Sequence, residues 1–359
     1  MLSQNQHPSS PSPSIVRATA ARRGVLLAAG AVPLALTGCG VLKGGGAGDA
    51  RSTPGGSDVA TGGAGFATAD KETAKLGTTA AAGVFPRTIR HAMGETTLKQ
   101  KPVRVVTLDT GEPDAMLALG VTPVAIAVSE GDPPVPSYLA KQLAGASRIG
   151  TIKAPSLEAI AAAKPDLILT SRLRHEKLYA QLSEIAPTVM SIRPGFPWKE
   201  NLRLYAAAVG AESRLDAIMR EYSDKVGTIK AAHGGKRSVS ALRFMPGKIR
   251  LYGRKSLIGV VLEDCGIPRP KNQAIDELAA EISAENIGQA DGDLLLYSSY
   301  GTKQATGEAA IVGGRGWQAI PAVRNGHAHR VDDGIWYLGL GPIGAGLILD
   351  ELLTLLEKK

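Results

Sequence analysis

The side chains of this 359-residue chain that could do chemistry sit in a handful of loops. Asp109-Thr-Gly-Glu-Pro113 presents Glu112, and Ser171-Arg-Leu-Arg-His175 presents Arg172 and Arg174. Tyr297-Ser-Ser-Tyr300 and the stretch 332–341, with Trp336 and Tyr337, bring aromatic rings that can stack on the methylenes or rings of a ligand. These are binding groups rather than reacting ones, because no nucleophile, base and orienting acid fall into a recognisable order. His327 and His329 could share a strand face, but no third His, Cys or paired acid stands near them in sequence, so a solvated strand edge is expected instead of a metal site. Gly339-Leu-Gly-Pro-Ile-Gly344 has the GxGxxG spacing of a dinucleotide loop, yet it lies at the C-terminal end with no following strand and no acid about twenty residues on, and is set aside.

The loops owe their place to the elements around them. Residues 88–91 and 95–98 flank Ala-Met-Gly and predict a hairpin; 103–108, 123–128, 166–170 and 188–192 predict buried strands separated by short helices at 113–119, 156–163 and 177–185. Loops past the carboxyl ends of such strands are where open α/β sheets bind ligands, which turns Glu112 and its neighbours toward a site. Residues 211–232 repeat apolar side chains, Leu215, Ile218, Met219, Tyr222, Val226 and Ile229, at steps of three and four, which predicts one unbroken helix of roughly twenty residues and about 30 Å. On either side lies an echo: Ser156, Glu158, Ile160, Ala163, Asp166, Leu167 and Leu169 recur without gaps as Ser283, Glu285, Ile287, Ala290, Asp293, Leu294 and Leu296. Each copy predicts a Ser cap, an acid in the first helical turn, a short amphipathic helix and a buried strand. The fold class is therefore α/β, two similar lobes joined by a single long helix. The second lobe is expected to hold strands at 238–244, 249–252 and 327–331, a helix at 256–265 and a final helix from 343 to 357.

The N-terminus is of a different kind. Arg22-Arg23 precede an apolar run, 24–36, too short to span a bilayer, which ends in Leu36-Thr37-Gly38-Cys39. Residues 1–39 are thus expected to be an export signal, and 40–83, rich in Gly, Ala, Thr and Ser, a flexible tether. Residues 84–198 form the first lobe, 199–235 the connecting helical region and 236–359 the second lobe. Losing Arg17, Arg22 and Arg23 with the signal lowers the net charge from +8 to +5. That moderate excess, without a basic run interleaved with aromatics, argues against nucleic acid and suits an anionic small ligand or a membrane surface. Of two cysteines, Cys39 belongs to the signal, which leaves Cys265 without an intrachain partner.

Lys164-Pro-Asp-Leu-Ile-Leu169, Arg174 with Tyr179 and Ile185-Ala-Pro187, the Leu-Thr-Gly-Cys lipobox and the long helix together resemble the ferric-siderophore and cobalamin type of ABC-transporter substrate-binding protein, closest to actinobacterial iron-siderophore lipoproteins. The resemblance runs over about residues 84–359. It implies a class III periplasmic-binding-protein-like fold, lipidation at Cys39, a twin-arginine export signal, with a Sec signal carrying incidental arginines as the other reading, and attachment to the outer face of the cytoplasmic membrane. It implies a monomer that takes a ferric siderophore in the interlobe cleft, hands it to a permease and has no cofactor of its own. Glu158 and Glu285 correspond to the permease-docking glutamates, one per lobe; their other reading is as helix-dipole carboxylates. Arg174, with Arg172 as the alternative, corresponds to a ligand arginine, whose fixed fork of donors suits an oxygen-rich iron chelate. Relatives carry Ser-Arg-Phe-Gly where this chain has Ser256-Leu-Ile-Gly259, so Arg243, Arg250 and Arg254 become candidate replacements. Trp198, Tyr252, Tyr300 and Trp336 complete the candidate ligand set with Glu112; Trp317 reads as an anchor beneath the last strands. Haem or cobalamin binding, an exported hydrolase and a cell-envelope interaction protein without transport are the rival functions.

Overall fold

The computed structural model describes residues 50–53, 57–60 and 66–358. The export segment and Cys39 lie outside the described residues. No described helix is long and apolar enough to cross a membrane.

Among the described residues, the first lobe is built on a sheet in the order Thr188–Ser191, Leu167–Ser171, Val105–Thr107, Ala125–Val128, Ser147–Thr151, Ala154–Pro155. Neighbours are parallel until the last pair, which is a short antiparallel return. Its central strands, such as Leu-Ile-Leu-Thr-Ser at 167–171, are buried along their whole length, as a sheet covered on both faces requires. The hairpin Arg87–His91 and Gly94–Leu98 packs beside it. Lys-Pro-Asp acquires a structural reason here. Lys164 takes a left-handed turn (φ 47°) that ends the helix Leu157–Ala162. Asp166 then accepts hydrogen bonds from the Val103 and Arg104 amides, both 2.8 Å, and so registers two strands at their start.

The second lobe's sheet runs Ala50–Thr53, Ser57–Ala60, Ala279–Ile282, Lys248–Tyr252, Val239–Met245, Leu294–Ser299, Ala328–Arg330. Only the last three strands are parallel neighbours, so the lobes match over part of their sheets. The internal echo falls in that part: Asp293 accepts from the Ser238 amide at 2.7 Å, doing for Val239–Met245 what Asp166 does for Val105–Thr107. The echo is imperfect at its helix. Ser156 caps Leu157–Ala162 through the Ala159 amide at 3.1 Å, whereas Ala284–Ala290 is a 3-10 helix kinked at Asn286 whose Ser283 makes no cap bond. Trp317 is packed against Phe244 and Tyr297 in the core of this lobe.

The stretch expected to be a tether gives way to the body early. Ser57–Ala60 adds antiparallel to the edge strand Ala279–Ile282, and from Phe66 the chain is packed, with Phe66, Ala69 and Thr73 buried. The apolar side chains at 66 and 69 supply what the Gly-rich run before them lacks.

The connecting helix is Glu212–His233, 22 residues and about 33 Å. It lies against the helices Trp198–Val209, Leu257–Asp264 and Pro342–Glu357. Pro342–Glu357 starts where Gly339-Leu-Gly-Pro-Ile-Gly344 was set aside as a nucleotide loop, and packing explains those glycines. A Cβ on Gly341 would stand 2.4 Å from Asp114 Oδ1, and one on Gly344 2.3 Å from the Gly339 carbonyl oxygen. Asp114, on the first-lobe helix Gly111–Ala118, accepts from the Ile343 and Gly344 amides at 2.9 and 2.8 Å and from the Tyr138 hydroxyl at 2.6 Å, so one lobe caps the closing helix of the other.

Burial pushes the Asp114 carboxyl from 3.8 up to about 6 against the pull of those donors. The folded chain thus holds this proton more tightly than the unfolded one. The linked stability, on the order of 3 kcal/mol for a shift of about two units, is complete below about pH 4 and is lost as pH rises through 6. Urea titrations should show the unfolding free energy of the wild type falling more steeply between pH 4 and 7 than that of Asp114→Asn; parallel curves would contradict the assignment.

Candidate ligand-binding cleft

A cavity of about 360 Å³ opens between the lobes, large enough for a compact small ligand. Its first-lobe wall consists of residues just past the carboxyl ends of parallel strands: Thr110 after Val105–Thr107, Ser129 and Glu130 after Ala125–Val128, Lys153 after Ser147–Thr151, Arg174 after Leu167–Ser171, Arg193 after Thr188–Ser191. The parallel sheet thus aims five consecutive turns at one space. The opposite wall comes from the antiparallel strands Val239–Met245 and Lys248–Tyr252 and their loops, through Arg243, Arg250, Tyr252 and Lys255, and from Tyr300 just past the parallel strand Leu294–Ser299, with Trp336 also in the lining.

Among the described residues the lining holds six cations, Lys153, Arg174, Arg193, Arg243, Arg250 and Lys255, and one carboxylate, Glu130. Most are paired with acids. Arg243 makes a two-pronged pair with Asp333, Nε to Oδ1 at 2.7 Å and Nη2 to Oδ2 at 2.5 Å, and Ser298 donates to the same carboxylate. Arg250 pairs with Glu281 at 2.8 Å, Lys255 with Asp70 at 3.3 Å, and Lys153 with Glu130. Arg174 Nε stands 3.6 Å from the buried Asp109, its side chain still two-fifths exposed to the cleft. The Arg243 guanidinium also lies 4.6 Å from the Tyr300 ring and 5.2 Å from the Tyr337 ring. Burial, together with Arg174, lowers the Arg193 guanidinium to about 10, which leaves it charged at neutral pH.

Where a loop was expected at 171–175, the chain makes one helical turn, Arg172–His175, and His175 shows why. Its ring is buried, Nε2 donates to the Ile152 carbonyl at 2.7 Å, and Nδ1 accepts from the Thr170 hydroxyl at 2.6 Å. A carbonyl can only accept, so the tautomer is settled, and burial lowers the pKa and keeps the ring neutral. The ring thereby ties the turn that carries Arg174 to the hairpin that carries Lys153.

Of the sequence-derived candidates, Arg174, Arg243, Arg250, Tyr252, Tyr300 and Trp336 converge on the cleft. Glu112 does not. It is buried beneath the loop, where its carboxylate accepts from the Asp109 amide at 2.6 Å and the Tyr205 hydroxyl at 3.0 Å, and burial beside Asp109 raises its pKa well above the ordinary range. Trp198 is core, edge-on to Tyr222 of the connecting helix at 4.9 Å. Arg254 pairs with Asp276 in the neighbouring groove, and Arg172 is not part of the cleft lining. Lys153, Arg193 and Lys255 were missed, although Arg193 directly follows the predicted strand 188–192 and the rule that found Arg174 reaches it too.

A family model described as periplasmic binding protein matches residues 105–333. The chain belongs to that family. Like other periplasmic binding proteins it is a binding component and not an enzyme, and two α/β lobes on one long helix are the fold it shares with them. The "Probable siderophore-binding lipoprotein YfiY" of Bacillus subtilis is 34% identical over 282 residues, which cover 75% of this chain and 87% of that protein. The achromobactin-binding periplasmic protein of Dickeya dadantii is 30% identical over 262 residues, 70% of this chain and 85% of that one. The crystal structure of Staphylococcus aureus SirA with staphyloferrin B matches this binding protein with a TM-score of 0.66 at 30% identity, covering 76% of this chain and 99% of that one.

Proposed function

We propose that this binding protein captures a ferric siderophore in the interlobe cleft and delivers it to an ABC importer. The observation that carries this is the cation set: guanidinium and ammonium groups from both lobes meet in one cavity, among tyrosines and Trp336, which is the complement of an oxygen-rich, anionic chelate. Relatives named for siderophores support the same class of ligand. Iron arrives inside the ligand as cargo. Glu158 and Glu285 are exposed and lie in the first turns of the two echoing helices, so each lobe offers one carboxylate to a pseudo-twofold permease. Attachment through Cys39 would hold a monomer at the outer face of the cytoplasmic membrane.

Of three tryptophans, only Trp336 lines the cleft, so its fluorescence reports occupancy. Titration with ferric hydroxamate, catecholate and citrate chelates, haem and cobalamin should show saturable quenching by a ferric chelate, weakened at least tenfold by Arg174→Ala as expected for losing a charge-assisted contact. Saturation by haem or cobalamin alone would reassign the ligand, and no response to any of them would overturn the proposal.

A further inference from the structure

Two cleft cations come from opposite lobes and converge on the same aromatic pair. Arg193 follows the first-lobe strand Thr188–Ser191, and its guanidinium carbon lies 4.1 Å from the centroid of Phe66 and 5.7 Å from that of Phe196. Lys255 follows the second-lobe strand Lys248–Tyr252, with its Nζ 4.7 Å from the Phe196 centroid and 3.3 Å from Asp70 Oδ2. The two rings meet edge to face at 5.2 Å. Phe66 and Asp70 belong to neither lobe's sheet. They lie in the segment that leads into the first lobe, before the residues matched by the family model.

That segment is fastened at both ends. Phe66 and Ala69 are buried with Phe196 against Ile192 of the first lobe and Val260 and Leu278 of the second. Eleven residues after Phe66, Gly77 exchanges both backbone hydrogen bonds with Arg90 of the first-lobe hairpin, at 2.9 and 2.7 Å. The segment therefore straps the two lobes together at the side where Arg193 and Lys255 enter the cleft. Two like charges facing one cavity repel each other and would turn outward to water if nothing held them. A ring face beneath one, where Arg193 Nε also donates to the Pro194 carbonyl at 3.4 Å, and a carboxylate beside the other contribute to that hold.

We propose that this strap, residues 66–77, is a working part of the ligand site, in which Phe66 and Asp70 are positioning residues for Arg193 and Lys255. The proposal rests on the anionic-chelate reading of the cleft. It implies that affinity depends on a segment lying between the lipid anchor and the lobes.

The test uses the full-length protein, ferric citrate as the probe, and the variants Phe66→Leu, Phe66→Tyr, Arg193→Met and Phe66→Leu with Arg193→Met. Leucine keeps the apolar volume and loses the ring face; tyrosine keeps the ring. Phe66→Leu should weaken binding about fivefold, the size of one cation–ring contact. Phe66→Tyr should bind like the wild type, and Phe66→Leu should cost nothing further in the Arg193→Met background, an outcome that a merely structural role would not give. A second readout needs no ligand: the rate at which a dicarbonyl reagent modifies Arg193, mapped by mass spectrometry, should rise severalfold in Phe66→Leu and stay unchanged in Phe66→Tyr. Failure of the wild type to bind any ferric chelate, while Arg193 still responds to Phe66, would remove the ligand reading and leave the positioning standing. Equal Arg193 modification rates in the wild type and Phe66→Leu, with equal affinities, would overturn the strap proposal and leave the ligand reading intact.

Discussion

Arg243→Ala is expected to abolish chelate binding and to destabilise the protein by about 3–5 kcal/mol, the usual result of removing one partner of a buried ion pair. The guanidinium is almost wholly buried, and its loss strands Asp333 in the second lobe, with Ser298 as the one other side-chain donor to its carboxylate among the described residues. The two effects are separable. Adding Asp333→Ala to Arg243→Ala removes the uncompensated charge and should recover much of the stability while recovering none of the binding. Arg243→Lys keeps the charge but cannot make the two-pronged contact, so it should fall between wild type and alanine in both respects. Urea unfolding and chelate titration on the four proteins check this; full binding by either alanine variant would remove Arg243 from the site.

Trp198→Ala should behave in the opposite way, costing about 3–5 kcal/mol of stability and leaving chelate affinity within about twofold wherever the variant is folded. The ring is buried where the helix Trp198–Val209 meets the connecting helix, and its neighbours are core groups such as Tyr222. The connecting helix buries few residues of its own, Tyr222 and Ile229 foremost, so removing the ring that packs against Tyr222 leaves a cavity that two rigid helices cannot close. A loss of affinity matching that of Arg243→Ala would place the tryptophan back in the binding site.

The contrast between these two residues shows what could be read from the chain alone. Periodicity finds a long amphipathic helix because the pattern is local, and the connecting helix was predicted within a residue at either end. The first-lobe strands were legible for the same reason: a parallel sheet covered on both faces writes continuous apolar runs into the sequence. Orientation within a loop is not local. Glu112 follows a strand just as Arg174 does, yet the Asp109 amide and the Tyr205 hydroxyl, the latter 93 positions away, turn it inward. Trp198 and Trp336 are both buried aromatics, and only the packing of distant helices decides which of them borders the cavity. The strap was misjudged as tether because its composition is that of a linker up to Phe66. Phe66 and Ala69 at one end and Gly77 at the other then fasten it, through partners in both lobes that no window of sequence contains.

The central claim is that one anionic ferric chelate sits between the two cation-bearing walls. An anomalous difference map at the iron absorption edge, from crystals grown with the chelate that saturates the fluorescence titration, tests it most directly. A single iron peak inside the cleft, between Arg174 and Arg243, is the predicted result. An iron peak elsewhere on the surface, with the cleft empty, would contradict it.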